Sequence, residues 1–186
     1  KTHLPTLSGK PGIQPLAAGE IIDLTGKMDP EGRLSWNALP GEWTVVRLGY
    51  GTNNKLTRPS PEPEVGLECD RLHPRGIEQH FEHRLRPVLE ALKGKAQIEY
   101  ITIDSWEALG QNWTKSFEDE FRKRRGYDPE PWLAVLTGLA VESADKSERF
   151  LWDMRETVGE LIMVNYIDRL KELLKPYGTK FYAEPY

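Results

Sequence analysis

The stretch Ile98-Glu99-Tyr100-Ile101-Thr102-Ile103-Asp104-Ser105-Trp106-Glu107 decides how the chain is read. Tyr100 to Ile103 is a short apolar run rich in β-branched and aromatic side chains, the content of a buried strand. Two carboxylates, Asp104 and Glu107, follow at once, with Trp106 between them. Acids standing where a buried strand runs out, beside an aromatic, are what cleavage of a glycosidic bond on a β/α barrel requires. The same residues also fit an ordinary strand running into a polar loop.

Working outward, two more segments read as strands. Trp43-Thr44-Val45-Val46-Arg47-Leu48-Gly49-Tyr50 has the composition of a strongly buried strand, with Gly49 and Gly51 giving the backbone room around Tyr50. Lys180 to Ala183 is the third, and it runs into Glu184. Helical patterns lie between them. Ile77, Phe81, Leu85, Val88, Leu89 and Leu92 keep helical spacing over residues 74–92, with a kink expected at Pro87 and a stop at Gly94. Short helices are expected over 116–125 and 131–137, the second closed by Gly138. A long one is expected from Ser147, as N-cap, to Lys175, before Pro176-Tyr177-Gly178.

Strands alternating with helices imply an α/β fold with parallel strands and helical crossovers. The chain then reads as a partial (β/α)8 TIM-type barrel or a doubly wound sheet. No GxGxxG or GxxxxGK[ST] pattern follows a strand, so nucleotide binding loses its main support. Residues 1–41 form a small β-rich lead-in, with a strand over 20–25, a turn at Asp29-Pro30-Glu31-Gly32 and a hairpin strand over 33–36. Residues 42–186 would be the N-terminal, incomplete part of the barrel, because a full one needs about 250 residues. The chain opens on Lys1, so it is expected to be a piece of a longer polypeptide.

The 186 residues carry a net charge of -4, which argues against nucleic acid or an anionic membrane as partner. No apolar run approaches the roughly 18 residues of a membrane span. A single cysteine, Cys69, excludes an internal disulfide and a CxxC metal site; with no marked histidine partner it reads as a small packing residue. The basic run Arg122-Lys123-Arg124-Arg125 follows acids four residues earlier, so it reads as a neutralised, solvated helix face.

In the barrel reading the strand C-terminal ends converge on one face, and they carry Tyr50, then Asp104 and Glu107, then Glu184. Glycosidic cleavage needs one carboxyl group as general acid and a second as nucleophile or as base for a water. Glu107 and Glu184 are the catalytic candidates. Asp104, Trp106, Asn112, Trp113, Tyr50 and Tyr182 are candidate substrate-binding residues, the aromatics as platforms for sugar rings. Tyr186 is a further aromatic at a strand end, and Gln111 a further hydrogen-bonding side chain. Asn53, Asn54 and Arg58 lie in a proline-rich loop that is either solvated or in contact with ligand. Asn112-Trp113-Thr114 also fits the short N-glycosylation pattern.

An ordered series of motifs resembles glycoside hydrolase family 106, the α-L-rhamnosidases. It comprises Gly41-Glu42-Trp43-Thr44-Val45-Val46-Arg47-Leu48-Gly49-Tyr50, Gly66-Leu67-Glu68-Cys69-Asp70, Asp104-Ser105-Trp106-Glu107 with Gln111-Asn112-Trp113-Thr114, Phe121-Arg122-Lys123-Arg124-Arg125-Gly126-Tyr127-Asp128, Ser147-Glu148-Arg149-Phe150-Leu151-Trp152-Asp153 and Phe181-Tyr182-Ala183-Glu184-Pro185-Tyr186. The resemblance implies a secreted or periplasmic, multidomain enzyme of plant-polysaccharide breakdown. Its catalytic domain would be a (β/α)8 barrel that hydrolyses terminal α-L-rhamnosides with inversion and depends on calcium. It implies Glu107 as general acid, with Glu184 as second carboxylate or as a substrate or calcium ligand, and Asp104 as an orienting or ligand-binding partner. The partner is then a rhamnose-containing glycan, together with the rest of the same polypeptide. Two alternatives stay open: a non-catalytic carbohydrate-binding protein on a barrel scaffold, and another glycosidase such as a β-galactosidase-like enzyme.

Overall fold

In the computed structural model, residues 14–57, 60–104 and 110–184 are described. The strand that ends in Asp104 is present as β1 (Tyr100–Ile103), and it lies parallel to β2 (Lys180–Ala183). Tyr100 stands opposite Lys180, Ile101 opposite Phe181, Thr102 opposite Tyr182 and Ile103 opposite Ala183. Strand alternation gives the pair two unlike faces. Ile101, Ile103, Phe181 and Ala183 are half-buried, while Tyr100, Thr102, Lys180 and Tyr182 are exposed.

The covered face packs on a buried cluster of Ile77, Phe81, Leu89, Tyr166, Leu170 and Leu174. These side chains come from the helical run of α1 (Pro74–His80), a wide turn Phe81–Leu85 and α2 (Arg86–Leu92), and from a second wide turn Met163–Asp168 and α5 (Arg169–Leu174). The expected helix over 74–92 is thus continuous. Pro87 comes at the second position of α2, directly after the wide turn, where Arg86 N bonds back to Phe81 O in place of the usual i−4 carbonyl. Gly94, at φ 75°, follows the helix end. With residues 50–120 and 155–186, this sheet and its helices form one compact unit.

The described residues 14–49, together with residues 121–154, form the other unit. Its interior holds Phe121, Val135, Val141, Phe150 and Leu151, each at most 1% exposed. Phe121 and Phe150 have ring centroids 5.8 Å apart. The lead-in is tied to the 140–142 stretch: Leu16 N donates to Ala140 O at 2.8 Å and Glu142 N to Leu16 O at 2.7 Å. The expected turn and hairpin at 29–36 are present as a Met28–Leu34 antiparallel bridge closed by Asp29 N to Arg33 O at 2.9 Å.

Three expectations are corrected. Residues 20–25 are not a strand but lie between short 3-10 turns, Ala18–Glu20 and Thr25–Lys27. There the Glu20 carboxylate accepts from Ala17 N and Asp23 Oδ1 from Thr25 N, local bonds that compete with a ladder. Residues 43–50 are not a buried strand: they are irregular and exposed throughout, Val45 at 59% and Tyr50 at 62%. A run apolar on both sides suits a strand covered on both faces, and none of the described residues supplies that cover. Finally, the long helix begins before Ser147. α4 (Ala144–Ile162) follows Ser143, whose hydroxyl accepts from Lys146 N at 3.1 Å. Ser147 is fully buried, and its hydroxyl accepts from Val141 N at 2.9 Å.

The expected short helices are α3 (Phe117–Arg125), with acids in its first turn and bases in its last, and a 3-10 helix Glu130–Thr137 closed by Gly138 at φ 91°. Two strands are paired among the described residues, and they do not make a barrel.

Candidate active site

Parallel pairing continues one residue past the strands, where Glu184 N donates to Ile103 O at 3.3 Å. Asp104 and Glu184 each come next in the alternation after the exposed Thr102 and Tyr182, and both are exposed. Neighbouring strands lie about 4.8 Å apart. The register therefore brings Asp104, a substrate-binding candidate, and Glu184, a catalytic candidate, to adjacent positions at the strand C-terminal ends, on the uncovered face. Tyr182, 57% exposed, precedes them on that face, and so does Tyr100, over whose ring Lys180 Nζ lies at 5.7 Å. Glu107 and Trp106 lie outside the described residues, as do Arg58 and Tyr186.

Two of the expected ring platforms come together. Tyr50 and Trp113 have centroids 6.3 Å apart at 35°. Trp113 is also stacked on the fully buried Phe117, at 4.6 Å and 28°, so one partner anchors its ring in the core and the other leads out to solvent. Asn112 between Gln111 and Trp113 is exposed. The loop asparagines bond within their own loop: Asn53 Oδ1 accepts from Lys55 N at 3.0 Å, and Asn54 Oδ1 from Thr52 Oγ1 at 2.7 Å.

Gln111 is placed differently from a sugar ligand. Its Oε1 accepts from Arg71 N at 2.8 Å and its Nε2 donates to Cys69 O at 2.7 Å. Thr114, 3% exposed, donates from Oγ1 to Asp70 Oδ2 at 2.6 Å. Asp70 Oδ1 accepts from Leu72 N at 2.9 Å. The sequence singled out both stretches as motifs but carried no local sign of their pairing, because the bonds join residues some forty positions apart.

Beneath this crossing lies a polar core. Arg71, 4% exposed, donates from Nη2 to Glu68 Oε2 at 2.8 Å and lies over the Tyr166 ring at 5.5 Å. Burial, with Glu68 beside it, pushes the Cys69 thiol up to about 12. The thiol stays protonated at neutral pH, which suits a packing residue and not a nucleophile.

Asp104 and Glu184 have the hard oxygen donors that calcium prefers, but calcium takes six to eight oxygens. Among the described residues no group of three His, Cys, Asp or Glu side chains gathers to hold a metal. Among the described residues the donor set falls short of a calcium site.

A family model described as alpha-L-rhamnosidase, Glyco_hydro_106, matches residues 5–186. A protein of Formosa agariphila named "Putative beta-glucuronidase" is 37% identical over 169 residues, covering 90% of this chain and 14% of that protein. The solved structure of a rhamnosidase from Novosphingobium sp. PP1Y is similar with a TM-score of 0.70 and 26% identity, over 90% of this chain and 17% of that one. The chain thus spans 14% and 17% of the lengths of these two proteins.

Proposed function

The chain belongs to glycoside hydrolase family 106, the alpha-L-rhamnosidases, and from that premise we propose that it acts, within a longer polypeptide, in an inverting enzyme that removes terminal α-L-rhamnosyl residues from plant polysaccharides or glycosides. The observation that supports this reading most is the register that seats Asp104 and Glu184 side by side at the ends of two parallel strands. In this reading Glu107 protonates the leaving oxygen and Glu184 is the second carboxylate, activating the attacking water. Asp104 orients the substrate, Tyr50, Trp113, Trp106 and Tyr182 offer faces to sugar rings, and Asn112 offers hydrogen bonds. Such a glycan is met in the periplasm or outside the cell, which is where the enzyme would work.

The name of the Formosa agariphila relative favours a second reading, cleavage of β-glucuronides. Charge weighs against it: a uronic acid brings a further carboxylate to a face that already holds Asp104 and Glu184, whereas a rhamnosyl residue is neutral.

The test is turnover of an aryl α-L-rhamnoside and an aryl β-D-glucuronide by the full-length protein. Rhamnose release is expected, falling about 10²–10⁴-fold in Glu107→Gln. A wild-type rate in that variant removes Glu107 from the mechanism. Glucuronide turnover without rhamnoside turnover establishes the second reading. Sugar binding with no turnover at all makes the protein a carbohydrate-binding one.

A further inference from the structure

We infer that Gln111 and Thr114 are positioning residues for Asn112 and Trp113: their inward bonds preset an amide and an aromatic ring, side by side, to take a neutral sugar ring. The inference rests on the reading of Asn112 and Trp113 as sugar contacts. Gln111 gives both ends of one amide to one short backbone stretch, accepting from Arg71 N at 2.8 Å and donating to Cys69 O at 2.7 Å. Thr114, 3% exposed, donates from Oγ1 to Asp70 Oδ2 at 2.6 Å. The two residues that bracket Asn112 and Trp113 are thus both tied to residues 69–71.

The receiving stretch is held in turn. Arg71 is 4% exposed and bonded to Glu68, Asp70 accepts from Leu72 N, and Leu72 O accepts from Asn165 Nδ2 at 2.6 Å. Between the two ties, Trp113 is stacked on the fully buried Phe117 with centroids 4.6 Å apart, and it meets the Tyr50 ring at 6.3 Å. Of residues 111–114 only Asn112 is exposed. Its amide offers donors and an acceptor, which match the hydroxyls of a sugar, while an aromatic face matches the apolar C–H surface of the ring. Neither side chain carries a charge, so the pair is matched to a neutral sugar. A contact group that is already held in place gives up less freedom on binding, so its positioning is read out as affinity.

The test is a double-mutant cycle in the full-length protein. KM and kcat are read on an α-L-rhamnosyl disaccharide, which presents a ring on each side of the scissile bond. Asn112→Ala should raise KM about fivefold, as loss of one hydrogen bond to a neutral partner does, with kcat falling less. Gln111→Met should raise KM by about the same factor, although its own amide is spent on the backbone. With both substitutions present the rise should stay near about fivefold, because an Asn112 amide released from its position no longer contributes. Thr114→Val should give a smaller rise, and Thr114→Ser, which keeps the hydroxyl, the wild-type KM. Factors that multiply to about 25-fold, or an unchanged KM in Asn112→Ala, overturn the inference and leave the glycosidase reading intact. No rhamnose release by the wild type overturns that reading and the inference with it. If Gln111→Met does not fold, Thr114→Val combined with Asn112→Ala decides by the same comparison.

Discussion

At Gly76, in α1, the backbone of Asp70 passes so close that a β-carbon would collide with the Asp70 carbonyl oxygen and stand 2.8 Å from its carbonyl carbon. Here glycine is needed for close approach of two backbones. Gly76→Ala should therefore cost about 3 kcal/mol, as overpacking against rigid backbone does, and lower the denaturation midpoint; an unchanged midpoint would show that Asp70 can move aside. Tyr166, under Arg71, gives a second prediction. Burial raises its phenol from 10.0 to about 12. The unfolded chain releases that proton first, so the contribution is fully present below pH 10 and is lost as pH rises from about 10 to about 12. Stability measured by chemical denaturation should fall across that window, and less steeply in Tyr166→Phe. Identical slopes in both proteins would assign the loss to other groups.

At the scale of elements, the start of α4 shows what a sequence conceals. Ser143 and Ser147 stand one helical turn apart, and either can cap. The structure uses Ser143 as cap and buries Ser147, whose hydroxyl satisfies Val141 N. Ser147→Ala should then cost about 2 kcal/mol, the cost of an unsatisfied buried N–H, against about 1 kcal/mol for Ser143→Ala at a more accessible cap. The reverse order in denaturation midpoints would restore Ser147 as the cap. The helix over 74–92 was legible because its apolar spacing is a local property, strong enough that Pro87 falls into a turn that tolerates it. Strands at 100–103 and 180–183 were legible from composition, and the adjacency of Asp104 and Glu184 followed once parallel pairing was assumed. Residues 43–50 misled because a strand is made by its neighbours, and composition records only a readiness for them. Gln111 misled in the opposite way: a polar side chain beside aromatics suggests a ligand contact, and its true partners are decided by tertiary placement.

At the scale of the whole molecule, the apolar surface that remains open carries the last prediction. Trp43, Val45, Val46, Leu48 and Tyr50 are 39–62% exposed, and Tyr100 and Tyr182 are exposed on the uncovered face of the β1–β2 pair. Contiguous apolar runs of this kind mark surfaces meant to be covered. If the cover is further chain of the same polypeptide, one pair of substitutions should have opposite effects in two contexts. In the 186 residues expressed alone, Val46→Lys with Leu48→Glu should reduce binding of a hydrophobic fluorescent dye and reduce self-association, leaving helical circular dichroism unchanged. In the full-length protein the same pair should destabilise by about 3 kcal/mol or more, because it would bury charge in a packed sheet. The 186 residues alone should also show no glycoside turnover, since the two strands paired among the described residues do not enclose a sugar. A neutral effect in the full-length protein would mean that residues 43–50 stay exposed there too, and turnover by the short chain would mean that the site is complete without further strands.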